Sequence, residues 1–171
     1  MGDILLLLHE SCGIASVEPR YIEMVYNILE DKSNPGLLRG KSIKALKGVN
    51  HKDALKIIED ILNNHIDEEP YLVRCAIFSL SDYKISGSIT LISKVLYETT
   101  NEEVFNTAAY TLGLFKTEEI IKPLIDNLNK FNSKLCYYSL EDNKEMLLNS
   151  VKSKNEYSEY SKQALKLLGL N

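Results

Sequence analysis

The chain has 171 residues, 44% of them apolar, with 20 basic and 24 acidic side chains for a net charge of −4, eight glycines, four prolines and no tryptophan. That is a globular composition, long enough for one domain with a sizeable core, and its scarcity of Gly and Pro favours helices over a turn-rich sandwich. No basic stripe runs along it, and only Arg20, Arg39 and Arg74 offer guanidinium forks, which argues against a surface that tracks nucleic-acid phosphates.

The opening "MGDILLLLHESCG" has an acid where a leader would have bases, and its apolar run of five residues is too short for a signal peptide or a membrane span. Leu6 stands where N-myristoylation wants Ser or Thr. The expectation is a soluble, unprocessed, cytoplasmic protein with no membrane partner. Cys12, Cys75 and Cys136 are odd in number and widely spaced, as reduced and mostly buried thiols would be.

In "PRYIEMVYNILED", Ile22, Val25 and Leu29 line one helical face. "KSNPG" (32–36) breaks it, with Pro35 suited to a helix start. A helix follows in which Leu38, Ser42, Ile43 and Leu46 recur at i, i+4, i+5 and i+8, ended by Gly48, Val49 and Asn50. Next, Leu55, Ile58 and Leu62 line a face of "HKDALKIIEDILNN". "DEEP" (67–70) places acids at a helix N-terminus, where the dipole favours them. "VRCAIFSL" (73–80) resembles a buried strand, yet Leu72, Ala76, Ile77 and Leu80 repeat the previous spacing and make it a helix.

"SGSITLISKVLYET" carries Ile89, Ile92 and Leu96, and "FNTAAYTLG" carries Phe105, Ala108, Ala109 and Leu112, with Gly113 placed as a C′ glycine. "EEIIKPLIDNLNK" carries Ile121, Leu124 and Leu128, with Pro123 tolerable near its first turn. The closing leucines 29, 62, 96 and 128 stand 33, 34 and 32 residues apart, and two helices per such period are the sequence signature of an α-solenoid. Small residues at 42, 76 and 108 let neighbouring helices approach closely. Residues 131–156 break the rhythm as an irregular insertion, within which Met146, Leu147 and Val151 predict one amphipathic helix. Ala164, Leu165 and Leu168 then predict a last helix of the first type, over 157–169.

"LVRCAIFSLSDYKISGSITLISKVL" and "VFNTAAYTLGLFKTEEIIKPLIDNL" resemble HEAT-like repeats of the short type found in phycobilin-lyase-like proteins. The resemblance covers residues 36–130 well and 1–35 loosely. The chain departs from the motif where Asn106 replaces the usual Arg and Ser81 the usual Gly, and "LLRGKSIKALKG" is degenerate. It implies an all-α fold, an α-α superhelix of about four helical hairpins (3–30, 36–64, 70–98 and 102–130) in one domain, with the 131–156 insertion and a capping helix.

Signatures of chemistry are scarce. His9, His51 and His65 lack metal-ligand spacing, and no nucleotide-binding or nucleophile-elbow motif occurs, so neither metal, cofactor nor catalytic residue is expected. The acid clusters at 67–69, 101–103 and 118–119 sit at helix starts, where capping explains them. HEAT-like DNA glycosylases depend on a basic concave face with Trp, which this chain lacks. Off the apolar faces, the second helices present rows: Glu23, Lys56, Thr90, Lys122; Tyr26, Glu59, Ser93, Ile125; Asn27, Asp60, Lys94, Asp126; and Glu30, Asn63, Tyr97, Asn129.

The resemblance implies that these rows face a concave groove. The expected partner-binding residues are Glu23, Tyr26, Asn27, Glu59, Asn63, Ser93, Tyr97, Asp126 and Asn129, with Tyr137 and Tyr138 from the insertion. The expected function is non-catalytic binding of a protein partner by a monomer or weak homodimer. One candidate role is a bacterial immunity protein that neutralises a basic toxin or nuclease. The alternatives are a bilin-lyase-like small-molecule-handling protein and an adaptor or assembly chaperone.

Overall fold

The computed structural model describes residues 19–46, 52–67, 69–83 and 87–170. The apolar run at 4–8, His9, Cys12, Gly48 and His51 lie outside them. The described residues are all-helical, without a strand, and the chain divides into two compact units, 1–85 and 86–171.

The first unit holds α1 (Pro19–Glu30), α2 (Gly36–Ala45), α3 (Lys52–Asn64) and α4 (Pro70–Tyr83). Helix α1 packs beside α3 and α2 beside α4, and each chain-neighbouring pair α1–α2 and α3–α4 also touches, giving two layers. Val25, Leu29, Ile58 and Leu62 are buried on one layer, and Ile43, Leu46, Leu72, Ala76, Ile77 and Leu80 on the other. The repeated apolar positions of both helix types thus meet in a single core, which is what their periodicity requires.

The small residues do what close packing asks of them. Ser42 and Ala76 are fully buried where α2 meets α4, and a β-carbon on Gly40 would stand 2.9 Å from the Tyr71 ring. Pro35 caps the start of α2, as its fixed φ suits. At the other end of the linker, the buried Arg39 donates from Nε to the Leu29 carbonyl at 2.9 Å, and Asn34 donates to the Ile28 carbonyl at 3.1 Å. These donors satisfy carbonyls that the last turn of α1 leaves without an intrahelical partner.

The second unit holds α5 (Ser88–Glu98), α6 (Glu102–Gly113), α7 (Ile121–Asp126), α8 (Leu135–Glu141), α9 (Lys144–Ser153) and α10 (Ser158–Leu167). Helix α6 packs on α5 and on α8; α7 touches α5, α8 and α10; α9 packs on α10. Asn101 caps α6 by accepting from the Val104 N–H at 3.1 Å. The stretch "EEIIKPLIDNLNK" is shorter as a helix than its periodicity predicts. A 3₁₀ turn at Glu118–Ile120 leads into α7, and Pro123 falls in its first turn. Pro123 has no N–H to donate, and its carbonyl accepts from the Asn127 side-chain amide at 2.9 Å just past the helix end.

Two expectations are corrected here. Gly113 does not end α6 in a left-handed C′ conformation: it lies within the helix, and the positive φ (54°) falls on Lys116. Its missing side chain serves packing instead, since a β-carbon there would stand 2.9 Å from Ser139 Cβ. The segment 131–156 is likewise not irregular, because α8 and α9 lie within it. Cys136, Ser139, Leu140 and Asn143 follow Phe105, Ala108, Ala109 and Leu112 by 31 residues, and all eight are buried. Helix α8 therefore takes the place beside α6 that the sequence pattern assigned to residues 164–168, while α10 packs on α7 and α9. Polar Ser139 and Asn143 at apolar repeat positions hid this copy.

Candidate functional site: a tyrosine–carboxylate surface on α5, α7 and α10

Tyr97 lies in the last turn of α5, next in sequence to the buried Leu96, and is 44% exposed. Asp126 is the last residue of α7, packed beside α5. The Tyr97 hydroxyl donates to Asp126 Oδ2 at 2.7 Å. Lys122, one turn earlier on α7, donates to the same oxygen. Lys122 Nζ also lies 5.7 Å from the ring centre of Tyr160, in the first turn of α10. Three helices thus contribute to one exposed cluster of two tyrosines, a carboxylate and an ammonium.

Lys130 fixes the end of α5 that carries Tyr97. Its Nζ donates to the carbonyls of Leu96 (2.9 Å) and Tyr97 (2.7 Å) and lies 5.7 Å and 5.6 Å from the ring centres of Phe105 and Phe131. A cation on the final carbonyls of a helix satisfies orphan acceptors and complements the dipole.

The electrostatics follow from this geometry. Partial burial, then the bond it donates to Asp126, pushes the Tyr97 phenol well above its ordinary value, so the hydroxyl stays protonated as a donor. Burial alone would raise the Asp126 carboxyl, but the hydrogen bonds from Lys122 and Tyr97 outweigh it and hold the group below its ordinary value. The bond to Asp126 in turn raises Lys122. Alongside, burial and then the charges of Glu156, Glu119 and Glu118 raise the Tyr157 phenol, and Asn155 donates to Glu118 at 2.6 Å. The surface is aromatic and acid-rich, held in place by bonds among its own groups.

Of the expected site residues, Tyr97 and Asp126 are brought into direct contact, and Asn129 is exposed just beyond α7. Ser93 is not on the surface: it is 8% exposed, and its neighbour in the same row, Ile125, is also buried. The apolar stripe of α5 is wide enough to include that position. Tyr137 and Tyr138 stack edge to face on α8 with ring centres 6.0 Å apart, Tyr138 the more exposed.

In the first unit Glu23, Asn27, Glu59 and Asn63 are exposed and Tyr26 is half-buried, with its hydroxyl 3.3 Å from Glu30 Oε1. Sequence reasoning missed Tyr160, since α10 was expected to extend the other layer. The only signal in the sequence was the i, i+3 pair Tyr157 and Tyr160 at a helix start. Among the described residues, no three His, Cys, Asp or Glu side chains are grouped to hold a metal ion, and no helix is long and apolar enough to cross a membrane. Cys75 and Cys136 are free and buried, and burial pushes both thiols up, that of Cys136 to about 12.

No protein-family model matches the chain, and no curated protein matches it.

Proposed function

We propose that this chain is a HEAT-like helical-repeat protein whose work is non-catalytic binding of a protein partner, through the tyrosine–carboxylate surface of residues 86–171. The observation that carries the proposal is the chain of contacts from Tyr97 through Asp126 and Lys122 to Tyr160: an exposed tyrosine held by a hydrogen bond to a carboxylate, whose lysine partner lies against the ring of a second, half-buried tyrosine. Tyrosines immobilised before binding lose little further conformational entropy in a complex, and they supply large contact area with a polar rim. The net charge of −4 favours a basic partner through steering, as a toxin or nuclease neutralised by an immunity protein would be.

The test is affinity capture with the tagged full chain from its native host, with partners identified by mass spectrometry, compared between the wild type and Tyr97→Ala/Tyr160→Ala. A stoichiometric basic protein that is retained by the wild type, lost from the double variant and weakened by high salt supports the proposal. A co-purifying chromophore or small molecule with no protein would refute it in favour of the bilin-lyase-like alternative.

A further inference from the structure

Both groups that hold Asp126 converge on one of its oxygens. The Tyr97 hydroxyl donates to Oδ2 at 2.7 Å, and Lys122 Nζ donates to Oδ2 as well. Among the described residues, no hydrogen-bond donor engages Oδ1. A carboxylate offers about four lone-pair sites, and here two are used. The pair lies at the surface, with the Asp126 side chain 34% exposed and that of Lys122 49% exposed. Asp126 therefore keeps acceptor capacity where a partner can reach it.

A tyrosine adjoins each member of the pair. Tyr97 bonds the carboxylate, and the half-buried Tyr160 has its ring centre 5.7 Å from the ammonium. A cation held between a carboxylate and an aromatic face is thus already present, supplied by the chain itself. Lysine fills that place incompletely. Its ammonium is a point charge that here meets a single carboxylate oxygen, whereas a guanidinium is a planar fork that spans both oxygens and stacks on a ring. An exposed ion pair is weakly held, so Lys122 is readily displaced. Glu119, exposed three residues before it, is placed to take up the released ammonium. Glu118, Glu119 and Glu156, whose charges act together on Tyr157, add a negative field beside the pair.

We infer that Asp126, between Tyr97 and Tyr160, receives an arginine side chain of the protein partner, whose guanidinium bridges Oδ1 and Oδ2 in place of Lys122. This rests on the partner-binding function proposed above and names the chemistry of its central contact. Lys122 is then a placeholder that occupies the acceptor until the partner arrives, and it competes with the partner rather than binding it.

The probe is a capped Gly-Arg-Gly tripeptide titrated into the full chain carrying ¹³C-labelled tyrosine, with its citrulline counterpart as the neutral isostere. The arginine peptide should move the ring resonances of Tyr97 and Tyr160 saturably, with Kd on the order of 1–10 mM, as expected for a single charged anchor. Lys122→Met removes the competitor and should tighten binding about threefold. Asp126→Asn should weaken it about tenfold, and citrulline should leave the rings in place. Silent rings, an equal response to citrulline, or a Lys122→Met variant that binds no more tightly than wild type would each overturn the inference. Capture of a protein that depends on Tyr97, beside rings silent to arginine, removes this contact and keeps the partner surface. Saturable arginine binding with no captured protein keeps the contact and removes the partner.

Discussion

Gly113 on α6 and Ser139 on α8 approach so closely that a β-carbon on the glycine would lie 2.9 Å from both Cβ and Oγ of the serine, while Ser139 Oγ donates to the Ala109 carbonyl at 2.9 Å. The serine Cβ is placed by its backbone and not by χ1, so no rotamer change relieves that clash. Gly113→Ala should gain about 1 kcal/mol of helix propensity and lose more than that to overpacking, for a net destabilisation of about 1–2 kcal/mol in urea melts. Adding Ser139→Gly should recover part of the loss; additive effects would mean that the two residues do not share this contact.

The core and the candidate surface should respond in opposite ways. Leu80 is 2% exposed and Ala76 fully buried, so Leu80→Asp and Ala76→Leu should each abolish cooperative folding or lower stability by about 3 kcal/mol or more. Tyr97→Ala should keep its far-ultraviolet circular dichroism and lose about 1 kcal/mol at most. Equal thermal losses in all three would place Tyr97 in the core and remove it from the binding surface.

Lys130 ties the turn after α7 to the end of α5, through the carbonyls of Leu96 and Tyr97. Lys130→Met keeps much of the apolar stem and removes the donors. The expected cost is about 1–2 kcal/mol, seen as a lower urea midpoint with an unchanged slope. No shift in midpoint would show that water replaces the ammonium without loss.

The Tyr97–Asp126 pair should also set a pH signature. Asp126 is held below its ordinary value of 3.8, so its contribution to stability is complete above that pH and fades as pH falls through the folded-state value. Tyr97 is raised above its ordinary 10, so its contribution is complete below pH 10 and fades as pH rises toward its folded-state value. The stability difference between wild type and Tyr97→Phe should therefore be flat from about pH 5 to 9 and narrow above pH 10. A difference that stays constant to pH 12 would show that the phenol is not the group responsible.

The helix class was legible in the residues themselves. The recurrence of Leu38, Ser42, Ile43 and Leu46 in Leu72, Ala76, Ile77 and Leu80 predicts two helices with matching apolar faces, and α2 and α4 pack together with all of these buried except the half-buried Leu38. Periodicity sufficed because burying one stripe is a local requirement, met by whichever neighbour arrives. It failed at 135–143, where the same register is written with Cys136, Ser139 and Asn143, because the burial of Ser139 and Asn143 depends on bonds to Ala109 and Gly113 in another helix.

The candidate site was half legible for the same reason. The sequence alone placed Tyr97 and Asp126 on exposed faces of helices a fixed period apart. Only the tertiary structure decided that they touch, that Ser93 is buried, and that Tyr160 comes from α10 to stand over Lys122. A helix face follows from spacing along one element. Which faces share a surface follows from how helices distant in the chain exclude water together, and no single stretch of sequence contains that choice.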